Sequence, residues 1–405
     1  MEQVPDPLAP AVLGPVRLRN RVIKAATFEG LSHDGLVTTD LVDFHRRYAA
    51  GGVGMTTVAY LAVSPEGRTS GHQVHWRDEA MPGLRALTEA VHAEGAAVSA
   101  QIGHAGPVAD PKGTGLPAIG PGWAFPNQGA GITRPASSAD LERIVAAHAD
   151  AARRAVEVGF DAVEIHLGHS YLASAFLSPK VNHRKDGYGG SLANRAKVAR
   201  GIMRAVRDEV GDRVAIIAKL NMTDGVRGGI TLEESIRTAC WLEQDGTLDA
   251  LEMTAGSSLL NPMFLFRGDA PVREFAAVMP QPIRTGVRLM GKRFIREYPY
   301  HDLYLLEMSR KVRAEVSLPM ILLGGVVDAA GMETAMREGF AFVAMARALL
   351  REPDLVNRIS RERSTPSLCI HCNQCMPTNF TGTHCPVVSD HTSRSTTWGT
   401  AAGYA

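Results

Sequence analysis

Short apolar runs and longer amphipathic stretches alternate along this chain. The runs are "RVIKAATF", "VGMTTVAYLAV", "AAVSAQIGH", "DAVEIH", "VAIIAKLN", "LDALEMTAG", "PMILLGG" and "FAFVAMAR". Their length and their richness in Val, Ile and Ala predict strands buried on both faces. Helical spacing of apolar positions predicts helices over Leu41 to Ala50, Leu84 to Glu94, Leu141 to Val158 and Leu232 to Gln244. Glycines stand where helices are expected to close, at Gly51, Gly95, Gly159, Gly211, Gly246 and Gly339.

Eight strands, each followed by a helix, predict an α/β fold, a (β/α)8 TIM barrel. A doubly wound sheet is the rival. The count of eight and the lack of a glycine-rich fingerprint after the first strand speak against it. In such a barrel the strands' C-terminal ends and the loops after them carry the chemistry. Those ends are Thr27, Tyr60, Gln101, His166, Lys219, Thr254, Gly324-Gly325 and Arg347. Long loops over 105–138, 167–191 and about 256–300 belong to the same face and predict the walls and lid of a pocket.

Composition narrows the class. The 405 residues are 45% hydrophobic and 21% charged, and 43 basic side chains nearly balance 42 acidic ones. No general attraction to nucleic acid is expected. The N-terminus lacks the basic region and apolar core of a signal peptide, and no apolar run approaches the roughly 20 residues of a membrane span. A cytoplasmic protein is expected, with no membrane partner. Four of the five cysteines crowd into the last tenth of the chain, which argues against a disulfide framework. Cys240, on a helix, is expected in the core. The expected organisation is a barrel over residues 1–360 and a cysteine-containing tail over 361–405 packed on it.

Candidate chemistry starts at the barrel's far end. "LGGVVDAAG" brings paired glycines to a helix start, and Arg347 follows strand eight. Glycine backbone, helix N–H groups and an arginine fork suit a phosphate, although the glycine pair alone also suits a plain turn. Lys219 needs a partner if buried, either a carboxylate such as Glu164 or Glu252 or negative charge on a cofactor ring; the Gln101 amide offers that ring a donor and an acceptor. A phosphate at one end and an anion-tolerant ring over the barrel mouth describe flavin mononucleotide (FMN).

The stretches "RNRVIKAATFEG", "AVSPEGR", "AQIGHAG", "HLGHSYLASAFLSPKVNHRKDGYGGSLANR" and "ARALLREPDL" carry a resemblance, from about residue 17 to 357. The chain resembles the Old Yellow Enzyme family of flavin-dependent ene-reductases and the N-terminal barrels of 2,4-dienoyl-CoA reductase. The resemblance implies FMN, with NAD(P)H as hydride donor. It implies that Ala25, Ala26 and Thr27 line the flavin edge, that Tyr60 and Gln101 contact the ring, and that Lys219 sits by its N1/C2-carbonyl side. Gly324, Gly325, Ala346 and Arg347 would hold the phosphate. The family usually has Pro-Met at Ala25-Ala26, Arg at Lys219 and often Gly at Ser170, and the last change bears on the tilt of Tyr171.

His166 and His169 lie three residues apart, with Tyr171 two further on. A metal-dependent barrel hydrolase would need more ligands at other strand ends, and a purely structural pair is the other alternative. The resemblance implies that both imidazoles donate to one substrate oxygen, where charge builds as hydride reaches the β-carbon of an α,β-unsaturated carbonyl compound. Tyr171 would then protonate the α-carbon. The implied activity is NAD(P)H-dependent reduction of an activated C=C bond of a small enone-type substrate. Desaturation of a cyclic ketone or oxidation of an amine are the related alternatives, and a homo-oligomer is expected. The tail run "CIHCNQCMPTNFTGTHC" places Cys369, Cys372, Cys375 and Cys385 in a metal-type pattern, for a [4Fe–4S] cluster or zinc. Its spacing is shorter than the "CIGCNQAC" run of the dienoyl-CoA reductase relatives, so a capping tail is the third reading.

Overall fold

A computed structural model describes residues 4–125 and 131–388. Eight parallel strands close into a barrel: β1 (Val22–Lys24), β2 (Met55–Ala62), β3 (Ala97–Gly103), β4 (Ala162–Leu167), β5 (Ala215–Asn221), β6 (Ala250–Thr254), β7 (Met320–Leu323) and β8 (Phe342–Met345). Each strand pairs with its sequence neighbour, and β8 pairs with β1 to close the ring. Around them run α1 (Thr39–Ala50), α2 (Met81–Ala93), α3 (Ser138–Glu157), α4 (Lys197–Val210), α5 (Leu232–Gln244), α6 (Leu306–Arg313), α7 (Ala329–Arg337) and α8 (Leu355–Arg361). The architecture is the (β/α)8 barrel that the alternation predicts.

Local chemistry starts and stops these helices. Ser137 with Asp140 and Thr231 with Glu234 form reciprocal capping boxes at α3 and α5. At the end of α1 the left-handed residue is Gly52, φ 104°, and not the expected Gly51, whose φ is −73°. A β-carbon at Gly51 would still strike the Pro353 carbonyl, so close approach explains that glycine.

The barrel interior is filled at its N-terminal end by Met55, Ala162, Ala215, Ala250 and Phe342, the first residues of their strands. A short antiparallel hairpin, Ala11–Leu13 with Val16–Leu18, adds Leu13 and Leu18 to this cluster and closes that end. The strand pattern does not predict it, because each arm has only three residues. Truncating Phe342 to alanine here is expected to cost about 3–5 kcal/mol.

The three long loops carry structure of their own. Residues 105–138 hold a parallel pair, Ala118–Gly120 with Thr133–Pro135, and 167–191 hold the helix Leu172–Leu177. Residues 256–300 hold the helices Val272–Val278 and Ile283–Phe294. Leu289 and Met290 stand exposed on the latter, which blurs the pattern that would mark it. Beyond α8 the chain returns to the barrel mouth. Thr383 donates from its backbone N to Glu29 O (2.7 Å) and from Oγ1 to Phe28 O (2.6 Å), while Asp269 N donates to His371 O (3.2 Å). The expected core position of Cys240 is not met: it is half-buried on α5, with Sγ facing Glu315 O at 3.5 Å. No helix among the described residues is long and apolar enough to cross a membrane.

Candidate active site

The end of β4 and the turn after it bring His166, His169 and Tyr171 together. The two imidazole centroids are 5.1 Å apart, and the His166 and Tyr171 rings are 4.4 Å apart, edge to face. Tyr60, from β2, meets Tyr171 at 5.1 Å and donates its hydroxyl to Gly67 O. Ala26 and Tyr171 pack against the cluster holding Tyr60, and Ala25 and Ala346 belong to the barrel-interior cluster. Tyr60, Ala26 and Tyr171 therefore share one cluster, while Ala25 and Ala346 pack with the barrel-interior residues below.

The turn is unusual in its backbone. His169 and Ser170 are both left-handed, φ 59° and 62°, at a cost of about 1–2 kcal/mol for a residue with a β-carbon. The end of β6 and the loop after it offset this cost. His169 Nε2 lies 2.8 Å from Thr254 Oγ1, Ser170 and Ser257 share a hydroxyl–hydroxyl bond of 2.5 Å, and Ser258 N donates to His169 O at 3.1 Å. Ser170 thus keeps the left-handed geometry that favours glycine, and Tyr171 N donates to Gly168 O at 3.1 Å. Thr254 is visible in the sequence as a strand end; the role of Ser257 has no local signal.

Burial sets the protonation states. It pushes His166 well below the ordinary histidine range, with the neighbouring His169 and the charge of Lys219 adding. His169 is pushed down to about 3 by burial, with Lys219 adding. Both rings are neutral at pH 7, so each carries one N–H. Burial raises the Tyr171 phenol, which keeps its proton. His166 Nδ1 is buried with no hydrogen-bond partner among the described residues.

Level with His166 on the neighbouring strand, Lys219 has the carboxylate partners that the simpler expectation gave it. Its Nζ lies 2.9 Å from Glu164 Oε1 and 2.8 Å from Glu252 Oε1. Burial works to lower its pKa, but Glu164 and Glu252 outweigh it and hold the ammonium above its usual range. Glu252 is raised by burial, against the pull of Lys219. Gln101 also spends its Nε2 donor on Glu164. Only the contact with Glu164 is a hydrogen bond, so Lys219 keeps two N–H groups, and Gln101 chiefly its amide oxygen, for a ring at the barrel mouth. Thr27 Oγ1 donates to Ala25 O at 3.1 Å, which ties it to its own turn.

At the β7–β8 end the glycine pair has a packing reason. A β-carbon at Gly324 would lie 2.6 Å from Leu305 Cγ, and one at Gly325 2.5 Å from Leu303 N. Both glycines are left-handed, φ 100° and 83°. Arg347 donates from Nη1 to Arg267 O (2.7 Å) and to Asn373 Oδ1. Both bonds use one nitrogen, and the Tyr304 hydroxyl also lies against the guanidinium. Cys369, Cys372, Cys375 and Cys385 are half-buried free thiols, and all four line one small cavity with Arg347 and Asn373. No three of these sulfurs lie mutually within 4.8 Å; among the described residues only exposed His33, Asp34 and His72 form such a group. Tetrahedral zinc, at about 2.3 Å from each sulfur, needs a tighter set.

Residues 8–256 match the NADH:flavin oxidoreductase / NADH oxidase family. The chain is 48% identical over 383 residues to the 4,4'-dithiodibutanoate disulfide reductase of Rhodococcus erythropolis, covering 95% of each. It is 31% identical to the NADH oxidase of Thermoanaerobacter brockii, covering 92% of this chain but 54% of that one. A solved complex of 2-naphthoyl-CoA reductase with 2-naphthoyl-CoA superposes with a TM-score of 0.77 at 25% identity, covering 91% of this chain and 54% of the other. The chain thus spans the disulfide reductase almost end to end and about half the length of the other two.

Proposed function

The chain belongs to the NADH:flavin oxidoreductase / NADH oxidase family, and from that premise we propose that it binds FMN over the barrel mouth and passes hydride from NAD(P)H to an electron-poor small molecule held by His166 and His169. The observation that carries this reading is the convergence of two neutral imidazoles and a protonated phenol on one spot, 5.1 and 4.4 Å between rings.

The residues present fit FMN. The unpartnered His166 Nδ1 marks unused bonding capacity at the barrel mouth, and the Arg347 guanidinium, whose two backbone and amide bonds both fall on Nη1, suits a phosphate. Lys219 would sit under the ring's electron-rich side, with Tyr60, Thr27 and Gln101 at its edges and Gly324, Gly325, Ala346 and Arg347 at the phosphate. When bound, the flavin supplies the hydride. The chain's own work is to hold the acceptor and move a proton. With an enone, His166 and His169 each donate one N–H to the carbonyl oxygen as it gains charge, and Tyr171 delivers its proton to the α-carbon.

The 48% identity to a disulfide reductase favours a second substrate class, an organic disulfide. There hydride goes to one sulfur, the S–S bond breaks, one thiol forms, and the departing thiolate is stabilised by the histidines and protonated by Tyr171. The same three groups serve both. Anaerobic NADPH or NADH oxidation by the FMN-loaded protein, with cyclohexenone and 4,4'-dithiodibutanoate in parallel, distinguishes them. No turnover of either, with flavin bound, would remove the proposed acceptor role. For the tail thiols, the wide spacing suits a [4Fe–4S] cluster better than zinc. Cys369, Cys372, Cys375 and Cys385 would hold it, and it would supply one-electron transfer; iron and acid-labile sulfide in anaerobically purified protein test this.

A further inference from the structure

We propose that Asn373, in the cysteine-bearing tail, completes the phosphate end of the flavin site by holding the Arg347 guanidinium in place for it; this rests on the FMN reading above. Asn373 is 1% exposed and sits 26 residues from Arg347 in sequence. Its carboxamide is used from both ends. Oδ1 accepts from Arg347 Nη1, while Nδ2 donates to Asp269 O (2.9 Å) and Phe266 O (3.3 Å). With Arg267 O, also on Nη1, the loop after β6 and the tail together set one edge of the fork.

This arrangement does two things for a phosphate. Arginine loses rotamer freedom when it binds, and fixing Nη1 removes that loss before the ligand arrives. Both acceptors are neutral, so the positive charge stays available to a dianion. An aspartate here would take that charge for itself. The tail is thereby more than a cap, because Asn373 lines the same cavity as the four thiols and lies between Cys372 and Cys375.

The test uses the phosphate as its own control. Full-length apoprotein is titrated with FMN and with riboflavin by flavin fluorescence, and the ratio of the two dissociation constants measures the phosphate contribution. Asn373→Gly suits the left-handed φ of 57° and so removes the side chain without backbone strain. The expected result is a fall in the FMN-over-riboflavin preference by about 5–30-fold, with riboflavin affinity unchanged within about threefold. Asn373→Asp is expected to reduce the preference further. Either folded variant keeping the parent's preference overturns the role of Asn373, as does an equal loss of FMN and riboflavin affinity, which would mark a merely structural part. If the parent itself binds FMN and riboflavin equally, the phosphate assignment of Arg347 fails and Asn373 falls with it.

Discussion

Replacing Thr254 with valine tests how His169 presents its proton. The ring is neutral, because burial and the nearby Lys219 push its pKa down to about 3. A neutral imidazole has one N–H. Nε2 lies 2.8 Å from Thr254 Oγ1, so donation toward a substrate anion requires the proton on Nδ1 and the threonine hydroxyl donating to Nε2. Valine keeps the shape and removes that bias. A neutral hydrogen bond of this kind is worth about 0.5–1.5 kcal/mol, which converts to a fall in kcat/KM of about 2–12-fold. His169→Ala, which removes the donor outright, should cost about 10²–10³-fold. The assay is steady-state turnover with NAD(P)H and the accepted substrate, alongside the dissociation constant of a phenol read from its charge-transfer band with the oxidised flavin. Thr254→Ser should recover most of the loss in both. Parent-like turnover and phenol affinity in Thr254→Val would refute the tautomer argument. A loss as large as that of His169→Ala, with flavin still bound, would refute it too, because a bias cannot outweigh the donor it biases.

Three further outcomes are expected. Tyr171→Phe should slow enone reduction by roughly 10²–10⁴-fold while quinone-driven NAD(P)H oxidation stays near the parent rate; equal slowing of both would remove Tyr171 from proton transfer. Acid should destabilise the fold through its buried neutral histidines: burial holds His169 near 3 and His148 near 4, against about 6.5 unfolded. Between those values the unfolded chain binds protons that the folded one does not. Stability is therefore full above about pH 6.5 and falls as pH drops, by up to about 1.4 kcal/mol per pH unit for each such histidine; urea midpoints that stay flat from pH 7 to 4.5 contradict this. Ser257→Ala should cost about 1–3 kcal/mol by stranding the buried Ser170 hydroxyl. Adding Ser170→Gly should recover part of it, since glycine suits φ 62°, and thermal melts showing the double variant no better than Ser257→Ala would count against the clamp.

The amino-acid pattern determined the barrel and the face its chemistry occupies. All eight strands are buried runs that read directly as strands, and their ends place His166, Lys219, Thr254 and Arg347 at one mouth. Spacing alone put His166, His169 and Tyr171 on one short turn. What the pattern does not carry is the pairing of polar groups across the fold. His169 meets Thr254 from 85 residues away, Ser170 meets Ser257 from 87, and Arg347 meets Asn373 of the tail. The hairpin that closes the barrel floor and the helices within 256–300 belong to the same class. Periodicity records only whether a residue faces core or solvent, a local property repeated every two or 3.6 residues. Partner choice for a buried donor or charge is made by desolvation, which leaves no such group unpaired without cost, and the candidates become neighbours only when the eight strands close.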